Sequence, residues 1–180
     1  KSFEENIEGT KMVVEAAHDM GATVEGEIGV MTRDEGEGKP EYDKLTDNYT
    51  KVDDAVKFAK ETGIDAMAIS YGTVHGIYRE KPNLNFDRLK EIREAVDVPL
   101  VVHGASGLTH EEYRKSVENG INKINYYSVM SNNVIKGLTD YLNNNKDKQV
   151  FLYDADMQIK DLVKKDLKDK IEVFGSANKA

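Results

Sequence analysis

Four short apolar runs, each ending on glycine or a polar residue and each preceded by a helix-length amphipathic stretch, constrain this chain more than any other feature. The runs are 22–29, 64–71, 98–103 and 121–125. The stretch before the first opens at Ser2 with Glu5 three residues on, carries Ile7, Met12, Val13, Ala16 and Ala17 at helical spacing, and stops at Gly21. Those are the marks of a capped helix start and of a glycine stop. The other stretches are 52–62 closed by Gly63, 85–96, and 109–119 closed by Gly120. Strands separated by helices of this length predict parallel pairing through crossover helices, hence an α/β fold. Two closures are open to such a chain. One is a doubly wound sheet, and the other is part of a (β/α)8 barrel, which needs about 250 residues when whole. Further helices are expected at 131–143 and around 157–168. Residues 30–50 form a charged, turn-rich connection of a length typical of lids or disordered segments.

With 180 residues, 39% hydrophobic and 32% charged, the chain suits one domain with its own core. A net charge of −8 argues against a nucleic-acid or anionic-membrane surface. No apolar run approaches the roughly 20 residues of a membrane span and no signal peptide stands at the N-terminus, so a cytoplasmic location is the default expectation. The first helix begins at once after Lys1 with no strand before it, which reads as a cut start. Because the chain has no cysteine, a metal here is left to His, Asp, Glu or backbone oxygen.

That puts weight on the four histidines. His75 and His103 each precede a glycine and follow consecutive apolar runs, so a parallel sheet brings both to the same end of neighbouring strands. A single histidine at a strand end is more often a packed or hydrogen-bonded residue than a ligand; a pair at equivalent positions favours a metal site. His18 falls in the last turn of a helix, where it complements the dipole, and His110 opens a helix facing solvent. Gly104-Ala-Ser-Gly107 before a helix reads either as an anion-binding turn or as a tight βα turn. Asn125 and Ser128 read either as part of a phosphate cradle or as capping residues. Glu25 and Glu27 share one face of the first strand, where an inward carboxylate is costly unless paired or on a metal. The loop acids Asp34, Glu35 and Glu37 are either a solvated run or the source of a mobile base.

The stretches Ser-Phe-Glu-Glu-Asn-Ile (2–7), Thr-Val-Glu-Gly-Glu-Ile-Gly (23–29), Gly-Thr-Val-His-Gly-Ile-Tyr (72–78), Pro-Leu-Val-Val-His-Gly-Ala-Ser-Gly (99–107), Lys-Ile-Asn (123–125) and Phe-Gly-Ser-Ala (174–177) occur in this order along the chain. In them the chain resembles the class II, zinc-dependent, fructose-bisphosphate and tagatose-bisphosphate aldolases. The resemblance implies a (β/α)8 TIM barrel of which residues 1–180, one domain, supply roughly the second half plus the C-terminal helices. It implies a metal-dependent aldehyde-lyase of carbohydrate metabolism (glycolysis), cleaving a ketose 1,6-bisphosphate reversibly to dihydroxyacetone phosphate and glyceraldehyde 3-phosphate. By the same resemblance His75 and His103 are zinc ligands, Glu27 belongs to the metal region and to a second divalent or monovalent cation, and Glu35 is the catalytic glutamate of a mobile loop. Gly76, Gly104, Ala105, Ser106, Asn125, Tyr126, Tyr127 and Ser128 fall at the phosphate-binding positions.

The family's third zinc ligand and its catalytic aspartate form an Asp-His pair on an earlier strand, and this sequence holds no Asp-His pair. The 180 residues alone are therefore expected to be inactive. Arg79 stands where some relatives carry lysine, and Tyr126-Tyr127 replace small or acidic residues of typical fructose-bisphosphate enzymes. Alternatives are a related aldolase acting on another phosphorylated ketose or a uronate, and a non-catalytic barrel half that binds phosphate. The full-length form is expected to be a homo-oligomer, dimer or tetramer, whose partner is a small sugar phosphate.

Overall fold

The computed structural model describes residues 1–30, 49–76, 78 and 80–179. Helices and strands alternate as α1 (Phe3–Asp19), β1 (Glu25–Ile28), α2 (Val52–Thr62), β2 (Ala66–Ile69), α3 (Phe86–Ala95), β3 (Leu100–Val102), α4 (His110–Glu118) and β4 (Ile121–Ile124). Two further helices follow, α5 (Ser128–Asn144) and α6 (Leu152–Val173). All four strands pair in parallel, in the order β1-β2-β3-β4.

The local signals act as their chemistry dictates. Ser2 and Glu5 form a reciprocal capping box on α1, and Thr109 and Glu112 do the same on α4. Gly63 ends α2 in the left-handed conformation, φ 69°. The strands are shorter than the apolar runs that predict them, because the ends of each run leave the ladder to enter the βα turns. Both terminal helices are longer than predicted. α5 starts at Ser128, a turn earlier than 131, because the Ser106 hydroxyl accepts from the N–H groups of Tyr127 and Ser128 and so satisfies two donors of a helix start. α6 extends both ways beyond 157–168 as it packs along α5.

The core lies on one face of the sheet. Ile28, Met67, Ile69, Leu100 and Val102 point there and meet Ile7 and Val14 of α1, Ala55 and Phe58 of α2, Leu89 and Ile92 of α3, Tyr113 of α4 and Val173 of α6. Gly26 belongs to the same face: a Cβ on it would stand 2.8 Å from the Phe58 ring, so the missing side chain is the space the ring fills. The strand order is consecutive and the helices gather on one face, whereas a doubly wound sheet reverses its order at a switch point and carries helices on both faces. Among the described residues no helix is long and apolar enough to cross a membrane.

Candidate metal and phosphate site

The opposite face carries the charge. Strand alternation sends Glu25 and Glu27 away from the core while Gly26 and Ile28 are buried. The inner strands place Ala68 and Val101 beneath them, paired with each other in register. His103 follows β3 directly, and its ring is gripped from β1: Nε2 lies 2.9 Å from Glu25 Oε1, and Nδ1 lies 3.4 Å from Glu27 Oε2. Lys123 of β4 reaches back to the same carboxylate, Nζ to Glu25 Oε2 at 2.8 Å, and its Nζ also meets Asn125 Oδ1 at 2.8 Å. An unbroken polar chain thus runs from one edge strand of the sheet to the other, above the small side chains of the middle.

His75, just after β2, lies with its ring centroid 5.9 Å from that of His103, the planes tilted by 34°. The two loops bearing the histidines are fastened together. The Thr73 hydroxyl donates to the His103 carbonyl at 2.8 Å, and the Tyr78 hydroxyl donates to the Gly104 carbonyl. Gly104 has φ 65°, and a Cβ there would stand 2.6 Å from the carbonyl carbon and oxygen of Val74. Only glycine permits both the conformation and the contact. From the core side, the buried Tyr113 hydroxyl donates to the Ala105 carbonyl and anchors the following turn.

The electrostatics follow from these contacts. Hydrogen bonding to Glu27 is the largest cause holding His103 above the usual histidine range; burial of the ring opposes it and Glu25 adds to it. For Glu25, burial works against ionisation, but Lys123 and His103 outweigh it and hold the carboxyl below the usual range. A ring donating through both nitrogens is an imidazolium, which has no lone pair for a metal. An ion therefore competes with a carboxylate for one of the two nitrogens. Among the described residues no group of three or more His, Asp or Glu is already arranged around an ion. The donor chemistry nevertheless fits zinc: adjacent imidazoles, with a carboxylate able to hold the far nitrogen of one, are the arrangement that fixes a ligand's tautomer.

The expected phosphate binders gather at the same end of the sheet, with differences. Ser106 is 8% exposed and its Oγ accepts from Tyr127 N at 3.0 Å and Ser128 N at 3.2 Å, placing both backbone donors at the start of α5. Asn125 continues the ladder, its N–H donating to the Val102 carbonyl, and its side chain joins Lys123. The side chain of Tyr126 goes the other way, edge-on to Tyr113 and Phe174 among the helices, so its ring is not grouped with Asn125. Ala105 is likewise turned into the core. Glu35, with Asp34, Glu37 and Arg79, lies outside the described residues. The remaining histidines match their non-catalytic readings: His18 Nε2 pairs with Asp65 at 2.9 Å, and the exposed His110 pairs with Asp169 at 3.1 Å.

Glu25 is paired, as an inward carboxylate on that strand face must be unless it lies on a metal. Lys123 is the site member that the sequence does not single out; its signal is in the strand, where it stands two residues before Asn125 and so on its face.

Comparison with known proteins finds matches along the whole chain. The profile of the class II fructose-bisphosphate aldolase family matches residues 1–179. The chain is 36% identical over 179 residues to a sulfofructosephosphate aldolase of Alkalicoccus urumqiensis, covering 99% of this chain and 61% of the relative. It is 35% identical over 183 residues to a fructose-bisphosphate aldolase of Staphylococcus epidermidis, covering 99% of this chain and 60% of that one. The crystal structure of the YdjI aldolase from Escherichia coli K12 superposes with a TM-score of 0.80 at 35% identity, over 100% of this chain and 60% of that chain. The chain thus spans about 60% of the length of the relatives it matches.

Proposed function

We propose, from the premise that this chain belongs to the class II fructose-bisphosphate aldolase family, that it is the phosphate-binding and metal-binding part of an aldehyde-lyase. The reaction is reversible cleavage of a ketose 1,6-bisphosphate, fructose or tagatose, to dihydroxyacetone phosphate and glyceraldehyde 3-phosphate. The sheet is one wall of a (β/α)8 barrel, and the face carrying His75 and His103 is its interior. One observation carries the reading: two imidazoles on consecutive parallel strands, 5.9 Å apart, joined to an anion-binding turn through Gly104 and Ser106.

His75 and His103 would hold zinc, which when bound would supply Lewis-acid polarisation of the ketose carbonyl. Glu25 orients the His103 ring through Nε2, and Glu27, on the longer contact, yields Nδ1 and is the candidate for the second cation. Ser106, whose oxygen takes the Tyr127 and Ser128 N–H groups and whose hydroxyl proton is left to donate, the remaining N–H groups at the start of α5, and the backbone of Gly76, Gly104, Ala105 and Tyr126 hold the phosphate, the helix dipole favouring the anion. Asn125 offers its amide to the substrate's oxygens. Glu35 takes the C–H proton of the triose phosphate. The working enzyme is a cytoplasmic homo-oligomer, dimer or tetramer, and turnover requires a third metal ligand besides the two histidines here.

The test is calorimetric zinc titration of the chain against His75→Ala and His103→Ala. Each substitution should weaken zinc binding; unchanged affinity in both would remove the reading at its centre. A second reading, a related aldolase for another phosphorylated ketose, is favoured by equal likeness to a relative named for sulfofructose phosphate and by Tyr126-Tyr127 beside the phosphate turn. Relative affinities of the chain for fructose 1,6-bisphosphate, tagatose 1,6-bisphosphate and sulfofructose phosphate separate the two.

A further inference from the structure

The polar chain across the open face has its junction at Lys123. Its ammonium lies 2.8 Å from Glu25 Oε2, on the opposite edge strand, and 2.8 Å from Asn125 Oδ1, on its own. Glu25 passes the contact on to His103 Nε2 at 2.9 Å through its other oxygen. An ammonium has three donors and no acceptor, so the end of the Asn125 amide that meets it has to be the carbonyl oxygen. The NH2 end is thereby turned away from Lys123 and presented as a donor. With an apolar residue at 123, either end of the amide could face the site at similar energy. Glu25 is constrained in the same way: one oxygen on an ammonium and the other on an imidazole leave its carboxylate plane no freedom to rotate. Lys123 touches neither histidine, and its side chain is 53% exposed, so it fills no core space.

We propose that Lys123 is a positioning residue. It aims the Asn125 NH2 group as a hydrogen-bond donor towards the oxygens of a bound triose phosphate, and it locks the carboxylate of Glu25 in the orientation that sets the His103 ring. The identity of the group that NH2 meets rests on the aldolase reading; the positioning itself does not.

The experiment is NMR of the isotopically labelled chain as wild type, Lys123→Met, Lys123→Arg and Glu25→Gln, each checked for an intact backbone amide pattern. In Lys123→Met the side-chain amide pair of Asn125 should shift by more than its linewidth, and so should the ring resonances of His103, which Lys123 does not touch. Glu25→Gln should move the His103 ring and leave the Asn125 pair in place, and Lys123→Arg should restore both. An Asn125 pair and His103 ring that stay put in Lys123→Met overturn the proposal. Should Lys123→Met fail to fold, Glu25→Gln decides: an unmoved His103 ring overturns it. Dihydroxyacetone phosphate added to the zinc-loaded chain tests the substrate clause. At saturating zinc, Lys123→Met should bind it about tenfold more weakly, the worth of one hydrogen bond; equal binding overturns that clause. A chain that binds no zinc in any variant removes the aldolase reading while the resonance pattern still decides the positioning.

Discussion

The helix-covered face and the open face of this sheet are built from alternate residues of the same four strands, and they hold together by different physics. Towards the helices, Ile28, Met67, Ile69, Leu100 and Val102 pack against Phe58, Leu89, Ile92 and Tyr113, and the stabilisation comes from apolar area removed from water. On the other side Glu25, Glu27, His103 and Lys123 are held by named partners over Ala68 and Val101. Volume matters on the first face and pairing on the second. A substitution should therefore report on the face it enters: global stability for one, ligand affinity for the other.

Phe58→Ala breaks the first face and should cost the most, about 3–5 kcal/mol. The ring is fully buried and fills the space over Gly26, where no side chain can move in to replace it. Denaturant unfolding measures it; a loss under about 1 kcal/mol would mean the two faces do not divide the labour this way. His103→Ala should do the reverse, lowering zinc affinity more than about 100-fold, beyond what removal of an orienting partner costs, while chemical denaturation shifts by under about 1 kcal/mol. Gly104→Ala joins the two effects. Its φ of 65° and the contact with Val74 predict about 1–3 kcal/mol of strain, read by thermal melting, together with weaker zinc binding because the backbone of His75 must shift.

The smallest effect lies away from both faces, at Asp65. Its carboxyl is held below the usual range by His18, with the Val24 N–H adding to it. A depressed carboxylate contributes stability above its unfolded value near 3.8 and loses that contribution as pH falls through the lower folded value. Asp65→Asn should therefore flatten the acid limb of stability slightly and leave neutral pH nearly unchanged in charge dependence. An acid limb identical to that of wild type would show that the pair is not formed.

The helix-covered face was the legible one. Apolar periodicity, the Ser2 and Thr109 caps and the Gly63 stop determine the elements because each is a local signal. The histidine pair was legible for the same reason, each ring being tied to a strand end by the glycine that follows it. Lys123 was harder, since a charge on a strand reads as solvated until the strand opposite it is known, and its partner Glu25 lies at the other edge of the sheet. Tyr126 was placed with the phosphate binders on sequence position, whereas alternation past Asn125 sends its ring to Tyr113 and Phe174. The early start of α5 escaped notice because its cap comes from Ser106 in another loop and not from a neighbour in sequence.

The contacts that join the sheet edges also order events in folding. Each βα unit closes over short stretches of chain, but Glu25 meets His103 across 78 positions and Lys123 across 98. Loop-closure entropy delays such non-local pairs until the intervening units are formed. The polar chain over Ala68 and Val101 is accordingly among the last contacts to be made, and competence to bind metal should lag helix formation in a refolding trace.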